Sequence, residues 1–405
     1  MDLADLLIDT KNKGASDLHL TVGSPPAQRI HGGIVPMNLP LMDRDELHEI
    51  VYGVLTDDQK RRLEKNLELD FALEFGDDVR FRANIYLNRR GEGAVFRVIP
   101  TNILSLDQLK MPPVLKSLCR LPRGLILVTG PTGSGKSTTL AAMVDHINEN
   151  FDHHILTIED PIEFVHQHKR SLVNQRELGP HTHSFANALR SALREDPDVI
   201  LVGEMRDLET ISLALTASET GHLVLATLHT TSAPKTVDRL VDVFPPTQQE
   251  QIRIMVAESI QAVICQTLAP LARGGGRACA MEIMIGTAAV RSLIRESKTH
   301  QLPSIIQVSA KFGMQSMDQE LKQMVVDGLI TREVAMDKAN SKFLFEDSEA
   351  TPPLPHVPAQ PAHRAPAPSA PSQASPGAQN RPAAAPPSSP PPGDDWTQMY
   401  GKRNR

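Results

Sequence analysis

The stretch GPTGSGKSTT, Gly130 to Thr139, holds three glycines, one lysine and five hydroxyl side chains. Gly130, Gly135, Lys136 and Ser137 fit the spacing G-x-x-x-x-G-K-S/T. Each residue type has a physical reason to be there. Glycine tolerates positive φ and lets the backbone wrap closely round a phosphate. Successive N–H groups then point inward, and the helix that follows adds its positive end. Gly130, Pro131, Thr132, Gly133, Ser134, Gly135, Lys136, Ser137 and Thr138 are therefore expected to cradle a triphosphate. Lys136 is expected to reach the β- and γ-phosphates, and Ser137 to offer a hydroxyl to Mg²⁺.

A phosphate loop needs acids from neighbouring strands. DVILVGEMRD ends a strand at Glu204, a candidate for the Mg²⁺ shell or for holding a water. Asp196 and Asp198, just before that strand, can instead serve as caps. TIEDPIEFVH puts Glu159, Asp160 and Glu163 at the end of another apolar strand, where open α/β sheets place their ligands. One of the three can orient and deprotonate an attacking water. In TGHLVLATLHTTSA, His222 precedes a strand and His229 ends it. The pattern favours His229 as the residue that senses a γ-phosphate. Two H-x-H pairs, His166/His168 and His181/His183, lack the cysteine or carboxylate that would complete a ligand set, and read as structural histidines.

These residues require a particular scaffold. LILVTG (125–130), HILTIED (154–160), VILVGE (199–204) and LVLATLH (223–229) are short, nearly continuous apolar runs, mostly separated by helical stretches. Buried parallel strands with crossover helices have this pattern. Residues 248–345 read as mostly helical, with helices near 248–267, 287–297 and 316–340. Upstream, Asp2 to Lys11 suit a helix, ASDLHL a strand, and Leu41 to Leu69 carry helical patterning. RFRANIYLNRRGEGAVFRVIP alternates, turns at NRRGEG and returns, a β-hairpin pattern. The expected organisation is an α/β domain over residues 1–100, a connector over 101–114, a P-loop domain over 115–350, and a disordered Pro/Ala/Ser-rich tail over 351–405. The tail cannot bury enough apolar surface to offset its chain entropy. It ends in DDWTQMYGKRNR, where Trp396, Met399 and Tyr400 are candidates for a docking patch.

Composition narrows the function classes. The 405 residues are 40% hydrophobic but only 4% aromatic, so the cores must be aliphatic. A formal net charge of −6 disfavours nucleic acid as a partner. Cys119, Cys265 and Cys279 form no C-x-x-C pair, which argues against a zinc ribbon or a disulfide framework and fits a reducing compartment. MDLADLLIDTKNKG has no long apolar core, and no apolar run reaches membrane-spanning length. A cytoplasmic protein is expected, with no more than peripheral docking on a membrane machine.

GPTGSGKST, TIEDPIE, ALREDPDVILVGEMRDLET and TGHLVLATLHT resemble, in order, the Walker A, Asp-box, Walker B and His-box motifs of the secretion-superfamily ATPases. The resemblance covers residues 1–345 and leaves out the tail. Within that superfamily the chain is similar to the motors that retract type IV pili. ASDLHL and the short N-terminal domain look like that branch. AAVRSLIRE (288–296) resembles the AIRNLIRE motif tied to retraction, departing at Val290 and Ser292. Extension and type II secretion motors usually carry a four-cysteine zinc element, for which this chain has no paired cysteines.

The resemblance implies a PAS-like N-terminal domain, a RecA-like ATPase domain, a homohexameric ring, ATP and Mg²⁺. It also implies a pilus-base location at the inner membrane, with a platform protein and related pilus ATPases as partners. By the same resemblance Glu163 is the catalytic carboxylate and Glu204 the Walker B acid. His222 and His229 then lie near the nucleotide. Arginines from the N-terminal domain are implied to reach the phosphates when an interface closes. Arg80, Arg82 and Arg97 lie in the right hairpin, and Arg82 and Arg97 are carried forward. The need is physical, since the core motifs supply only Lys136 and the metal as positive charge on the transferring phosphoryl. The implied function is pilus retraction, meaning pilin disassembly and twitching motility. The alternatives are an accessory retraction ATPase, or a pilus extension or type II secretion ATPase. A nucleic-acid translocase is a further alternative, from a different class.

Overall fold

The computed structural model describes residues 2–30, 32–75, 79–99 and 103–345. The proline-rich stretch expected to be disordered, with Trp396, Met399 and Tyr400, lies outside the described residues, as does part of the expected connector.

The N-terminal strands form one antiparallel sheet. Helix α1 (Leu3–Asn12) is capped by Asp2, whose carboxylate accepts the Ala4 N–H. Strands β1 (Asp17–Thr21), β2 (Ala27–Ile30) and β3 (Gly33–Pro36) follow, then helices α2 (Arg44–Gly53) and α3 (Asp57–Asn66). Strands β4 (Glu68–Phe75), β5 (Val79–Asn88) and β6 (Gly91–Ile99) complete the sheet, in the order β3-β2-β1-β6-β5-β4. The expected hairpin is β5–β6, with Arg82 opposite Arg97 in register. Leu3, Leu6 and Leu7 of α1 pack with Leu18, Leu20, Phe81, Ile85 and Phe96 in one core. The helical reading of Leu41 to Leu69 overran. Leu67 sits at φ 66 and ends α3, and Leu69 already belongs to β4. The short β2–β3 hairpin also went unread, because AQRI and GIVP are too brief for a period to register.

The second sheet has seven strands. After α4 (Val114–Leu118) come β7 (Gly124–Thr129), α5 (Lys136–Asn150), β8 (His154–Glu159), β9 (Leu172–Glu177), α6 (Phe185–Ala192), β10 (Val199–Val202), α7 (Leu208–Glu219) and β11 (Leu223–Leu228). Helices α8 (Ala233–Asp242) and α9 (Pro246–Ser259) lead to β12 (Ile260–Pro270) and β13 (Arg277–Ile285). The order is β13-β12-β7-β11-β10-β8-β9, parallel from β12 to β9, with β13 antiparallel at one edge. Every residue of β7, β10 and β11 is buried, which is why they read as unbroken apolar runs. Aliphatic clusters lie on both faces of this sheet.

The helix expected over 248–267 ends at Ser259, and Ile260 to Thr267 are the start of β12, which pairs with β7 between Ile260 and Cys265. IQAVICQTL is a buried apolar run, which periodicity cannot assign to helix or strand. Its β-branched Ile260, Val263, Ile264 and Thr267 suit the pleated interior better. The span 316–340 is two helices, α12 (Met317–Val326) and α13 (Arg332–Lys338), separated by a turn in which Gly328 has φ +67. Before them come α10 (Ala288–Arg295) and α11 (Leu302–Val308). The AAVRSLIRE stretch forms α10 and its end. Arg291 donates to the carbonyls of Gly286, Ala257 and Glu258 and to Gln261 Oε1, covering the carboxyl end of α9. Val290 is fully buried in the core, and Ser292 Oγ donates to Glu296 at 2.7 Å, so both departures from the motif are accommodated.

Candidate functional site

The parallel register brings the motif ends to one edge of the sheet. Thr129, the last residue of β7, pairs with Leu228, the last residue of β11. Val202, ending β10, pairs with Ala226 on one side and Ile158 on the other. The phosphate loop, His229, Glu204 and the Glu159–Glu163 segment therefore all leave from the carboxyl ends of adjacent strands, the crevice where such sheets bind ligands.

The phosphate loop has the backbone that its sequence requires. Gly130, Gly133 and Gly135 have φ of +144, +76 and +90. Gly130 also sits against β12: a Cβ there would lie 2.3 Å from the Gln266 carbonyl oxygen. Gly135 is the N-cap of α5, and no side chain caps that helix. Its first-turn N–H groups and positive end are left for an anion. Gln266 braces the loop from behind. Its Nε2 donates to the Ser134 carbonyl at 2.8 Å, and its Oε1 accepts from Thr139 Oγ1 at 3.0 Å.

Lys136 folds back over this loop. Its ammonium donates to the carbonyls of Gly130 at 3.0 Å and Pro131 at 3.1 Å. Burial pulls its pKa down, while Glu204 and Glu163 both push it back up. Glu204 is engaged at both oxygens, with Arg206 Nη2 at 2.7 Å and His229 Nε2 at 3.1 Å. Burial opposes its ionisation, but Arg206 and then His229 hold the carboxyl below the usual carboxylate range.

The three acids of the TIEDPIE segment separate by environment. Glu159 turns inward and accepts from Thr157 Oγ1 at 2.6 Å and Gln175 Nε2 at 3.1 Å. Burial is the largest influence on it and raises its pKa. The backbone N–H of Glu163 also donates to this carboxylate. Asp160 and Glu163 are exposed. Glu159 is thus a brace, and Glu163 presents a carboxylate on the loop that Glu159 holds.

Other sequence candidates fall elsewhere. His222 is at the opposite end of the sheet, where its carbonyl accepts from Gly124 at the start of β7. Six residues of β11 separate it from His229, about 20 Å of extended chain. The expectation that His222 borders the nucleotide is therefore not met within one subunit; its Nδ1 contacts the Ala217 carbonyl at 3.0 Å. Arg82 and Arg97 lie on the six-stranded sheet, where Arg82 faces Asp70 at 3.8 Å and Arg97 pairs with Asp17 at 2.8 Å. Arg80 is buried, 2.9 Å from Glu177. Asp198 accepts the His154 N–H at the start of β8 at 2.8 Å, a strand contact rather than a helix cap. His168 and His181 accept the backbone N–H groups of Val173 and Glu177, each at 3.0 Å.

Gln266, Arg206 and Glu177 escaped the sequence reading. Arg206, two residues after Glu204, had proximity as a signal. Gln266 and Glu177 had none, because their roles exist only once β12 lies beside β7 and the two sheets meet.

A divalent cation fits this site by the chemistry of its donors. The carboxylate of Glu204 and the hydroxyl of Ser137 are hard oxygen donors that follow the carboxyl ends of β10 and β7, with β11 between those strands. Among the described residues no cluster of three or more His, Cys, Asp or Glu could hold a metal by itself. A cation at a phosphate site is commonly held by one or two protein oxygens, with water and the substrate phosphates completing its shell.

Residues 4–337 match the family model described as type II/IV secretion system protein. The chain is 56% identical over 339 residues to the type IV pilus retraction ATPase PilT of Pseudomonas aeruginosa, covering 84% of this chain and 98% of that one. It is 40% identical over 341 residues to the type IV pilus ATPase PilU of the same organism, covering 84% and 89%. A crystal structure of the pilus retraction motor PilT with bound ADP superposes with a TM-score of 0.81 at 47% identity, covering 85% of this chain and 98% of that one.

Proposed function

The chain belongs to the type II/IV secretion system protein family, and we propose that it is the ATPase motor that retracts type IV pili. It hydrolyses ATP to ADP and phosphate, and the work drives pilin disassembly and twitching motility. The observation that supports the hydrolytic reading is that Lys136, Glu204 and Glu163 follow the carboxyl ends of β7, β10 and β8 on one side of the same parallel sheet, with both carboxylates raising the pKa of the lysine. The retraction reading rests on identity, 56% to the retraction ATPase against 40% to PilU, the runner-up as an accessory motor.

The residues take the following parts. Gly130 to Thr138 wrap the phosphates, and Lys136 leaves the Gly130 and Pro131 carbonyls for phosphate oxygens. Glu163 takes the proton from the attacking water. Glu204 and Ser137 hold Mg²⁺, which supplies positive charge to the phosphates when bound. His229 holds Glu204 and follows the γ-phosphate. Six copies form a ring. Arg82 and Arg97 come from the N-terminal body (1–100) of one copy to the nucleotide of the next, and closure of that body on the P-loop body (115–350) couples chemistry to motion. Among the described residues no helix is long and apolar enough to cross a membrane. We assign the ring to the cytoplasmic face of the inner membrane, docked peripherally on a pilus platform protein.

Lys136→Ala is expected to abolish ATP binding and turnover, and Glu163→Gln to bind ATP without hydrolysing it. Wild-type turnover by Glu163→Gln would remove Glu163 from the catalytic role. A deletion strain decides the direction of force. Surface pili without twitching are expected, and a strain with no pili would make this an extension motor.

A further inference from the structure

Arg80 and Glu177 join the two sheets. Arg80 lies on β5 of the six-stranded sheet, and Glu177 ends β9 at the edge of the seven-stranded one. Their side chains are 8% and 6% exposed, and Arg80 Nη2 is 2.9 Å from Glu177 Oε2. The same oxygen accepts the backbone N–H of Ile162 at 3.1 Å. Ile162 is itself buried, and the next residue, Glu163, donates its N–H to Glu159. The short loop that carries Glu163 is therefore suspended from two inward carboxylates. One of them, Glu177, is neutralised by a cation from the other sheet.

We propose that Arg80 is a positioning residue that sets the Glu163 loop through Glu177, so that the seating of the N-terminal sheet is sensed at the hydrolytic centre. The inference rests on the reading of Glu163 as the catalytic carboxylate. A buried carboxylate stripped of its partner is strongly disfavoured. If the N-terminal sheet lifts, Glu177 loses its countercharge and turns toward water, releasing the Ile162 N–H. The loop then loses one of its two carboxylate anchors, keeping Glu159 and the Gln175 contacts at Phe164 and His166, while the phosphate cradle, braced separately by Gln266, keeps its shape. Arg80 differs here from Arg82 and Arg97, whose side chains are 42% and 66% exposed.

The test uses the full chain with Arg80→Met, which keeps an apolar stem in the buried position, and with Glu177→Gln, which keeps an acceptor for Ile162 and removes the charge. Arg80→Met should lower kcat by roughly 10- to 100-fold with KM for ATP within about twofold, the size expected for a displacement of about 1 Å at a catalytic group. Arg80→Lys should restore part of the loss. The double variant should run close to Glu177→Gln alone, since it leaves no unpaired buried charge. Amide exchange over residues 160–164 should quicken in Arg80→Met and return toward wild type in the double variant. Wild-type kcat in Arg80→Met overturns the proposal. So does a double variant about tenfold or more slower than Glu177→Gln, because Arg80 would then act elsewhere. The second comparison stands even if Arg80→Met does not fold. The exchange readout does not depend on what Glu163 does, so a failed catalytic reading and a failed latch give different results.

Discussion

His229 Nε2 lies 3.1 Å from Glu204 Oε1, tying the carboxyl ends of the neighbouring strands β11 and β10. Arg206 holds the other oxygen at 2.7 Å. A hydrogen bond to a charged group is worth about 1.5–3 kcal/mol, or roughly 10- to 100-fold in rate if the chemical step depends on it. His229→Ala should lower kcat in that range and leave ATP affinity within a few-fold. Steady-state kinetics beside a fluorescent-nucleotide titration would separate the two. An unchanged kcat would leave His229 without a part in hydrolysis.

Gln266 connects β12 to the phosphate loop by two hydrogen bonds, at Ser134 and Thr139. Gln266→Leu keeps the volume and removes both. The Thr139 hydroxyl is fully buried, and an unsatisfied buried group costs about 1–3 kcal/mol. A lowered melting temperature and weakened ATP binding are both expected. Wild-type ATP affinity in this variant would show that the loop holds its shape without the brace.

Gly130 and Gly133 both have positive φ, yet they should respond differently to alanine. At Gly130 a methyl would meet the Gln266 carbonyl at 2.3 Å, whereas at Gly133 nothing lies within 4 Å. Gly133→Ala meets only the backbone penalty of about 1–2 kcal/mol. Gly130→Ala must also displace β12 or the loop. Nucleotide titration should find Gly130→Ala unable to bind and Gly133→Ala only weakened. Equal losses in the two variants would contradict the contact.

If Arg82 acts across a subunit interface, subunits can complement each other. Glu163→Gln and Arg82→Ala rings should each be nearly inactive. A mixed ring contains interfaces where an intact Glu163 faces an intact Arg82, so mixing should restore a fraction of the ATPase rate. No recovery on mixing would place Arg82 in its own subunit's site or outside the chemistry; Arg97→Ala can be run in parallel.

His166 predicts the acid limit of stability. Burial is the main reason its pKa is pulled down to about 4 from 6.5; Asp145 opposes the shift and Lys169 adds to it. In the unfolded chain the imidazole takes up a proton below about 6.5, while the folded chain resists until about 4. The unfolded state therefore binds more protons in this window, and stability falls as pH drops through it, by at most about 3 kcal/mol. His166→Gln should flatten the fall in melting temperature between pH 7 and 5. A variant as acid-sensitive as wild type would assign the loss to other groups.

Some of this was legible because it is local. The phosphate loop is a run of consecutive residues whose backbone needs are written in residue type. The parallel strands announced themselves as apolar runs, since a strand covered on both faces cannot alternate. The α10 helix and the β5–β6 hairpin were equally plain, each carried by its own period and turn. Strand β12 was not, because a buried strand and a buried helix present the same apolar composition until a partner supplies hydrogen bonds.

The division is sharpest at the site. Sequence alone determined that Lys136, Glu204 and His229 stand at the ends of their segments, because a chain ordered as apolar run and polar end carries that information by itself. It did not separate Glu159 from Glu163, which share a strand end and a charge. Tertiary structure decided that one is half-buried, hydrogen-bonded to Thr157 and Gln175, while the other is exposed. It also put the loop at the His229 end of β11, leaving His222 at the far end of that extended strand beside Gly124. Gln266 and Arg80 became meaningful only by contact across long stretches of chain, and such contacts depend on packing rather than on any spacing that a sequence can display.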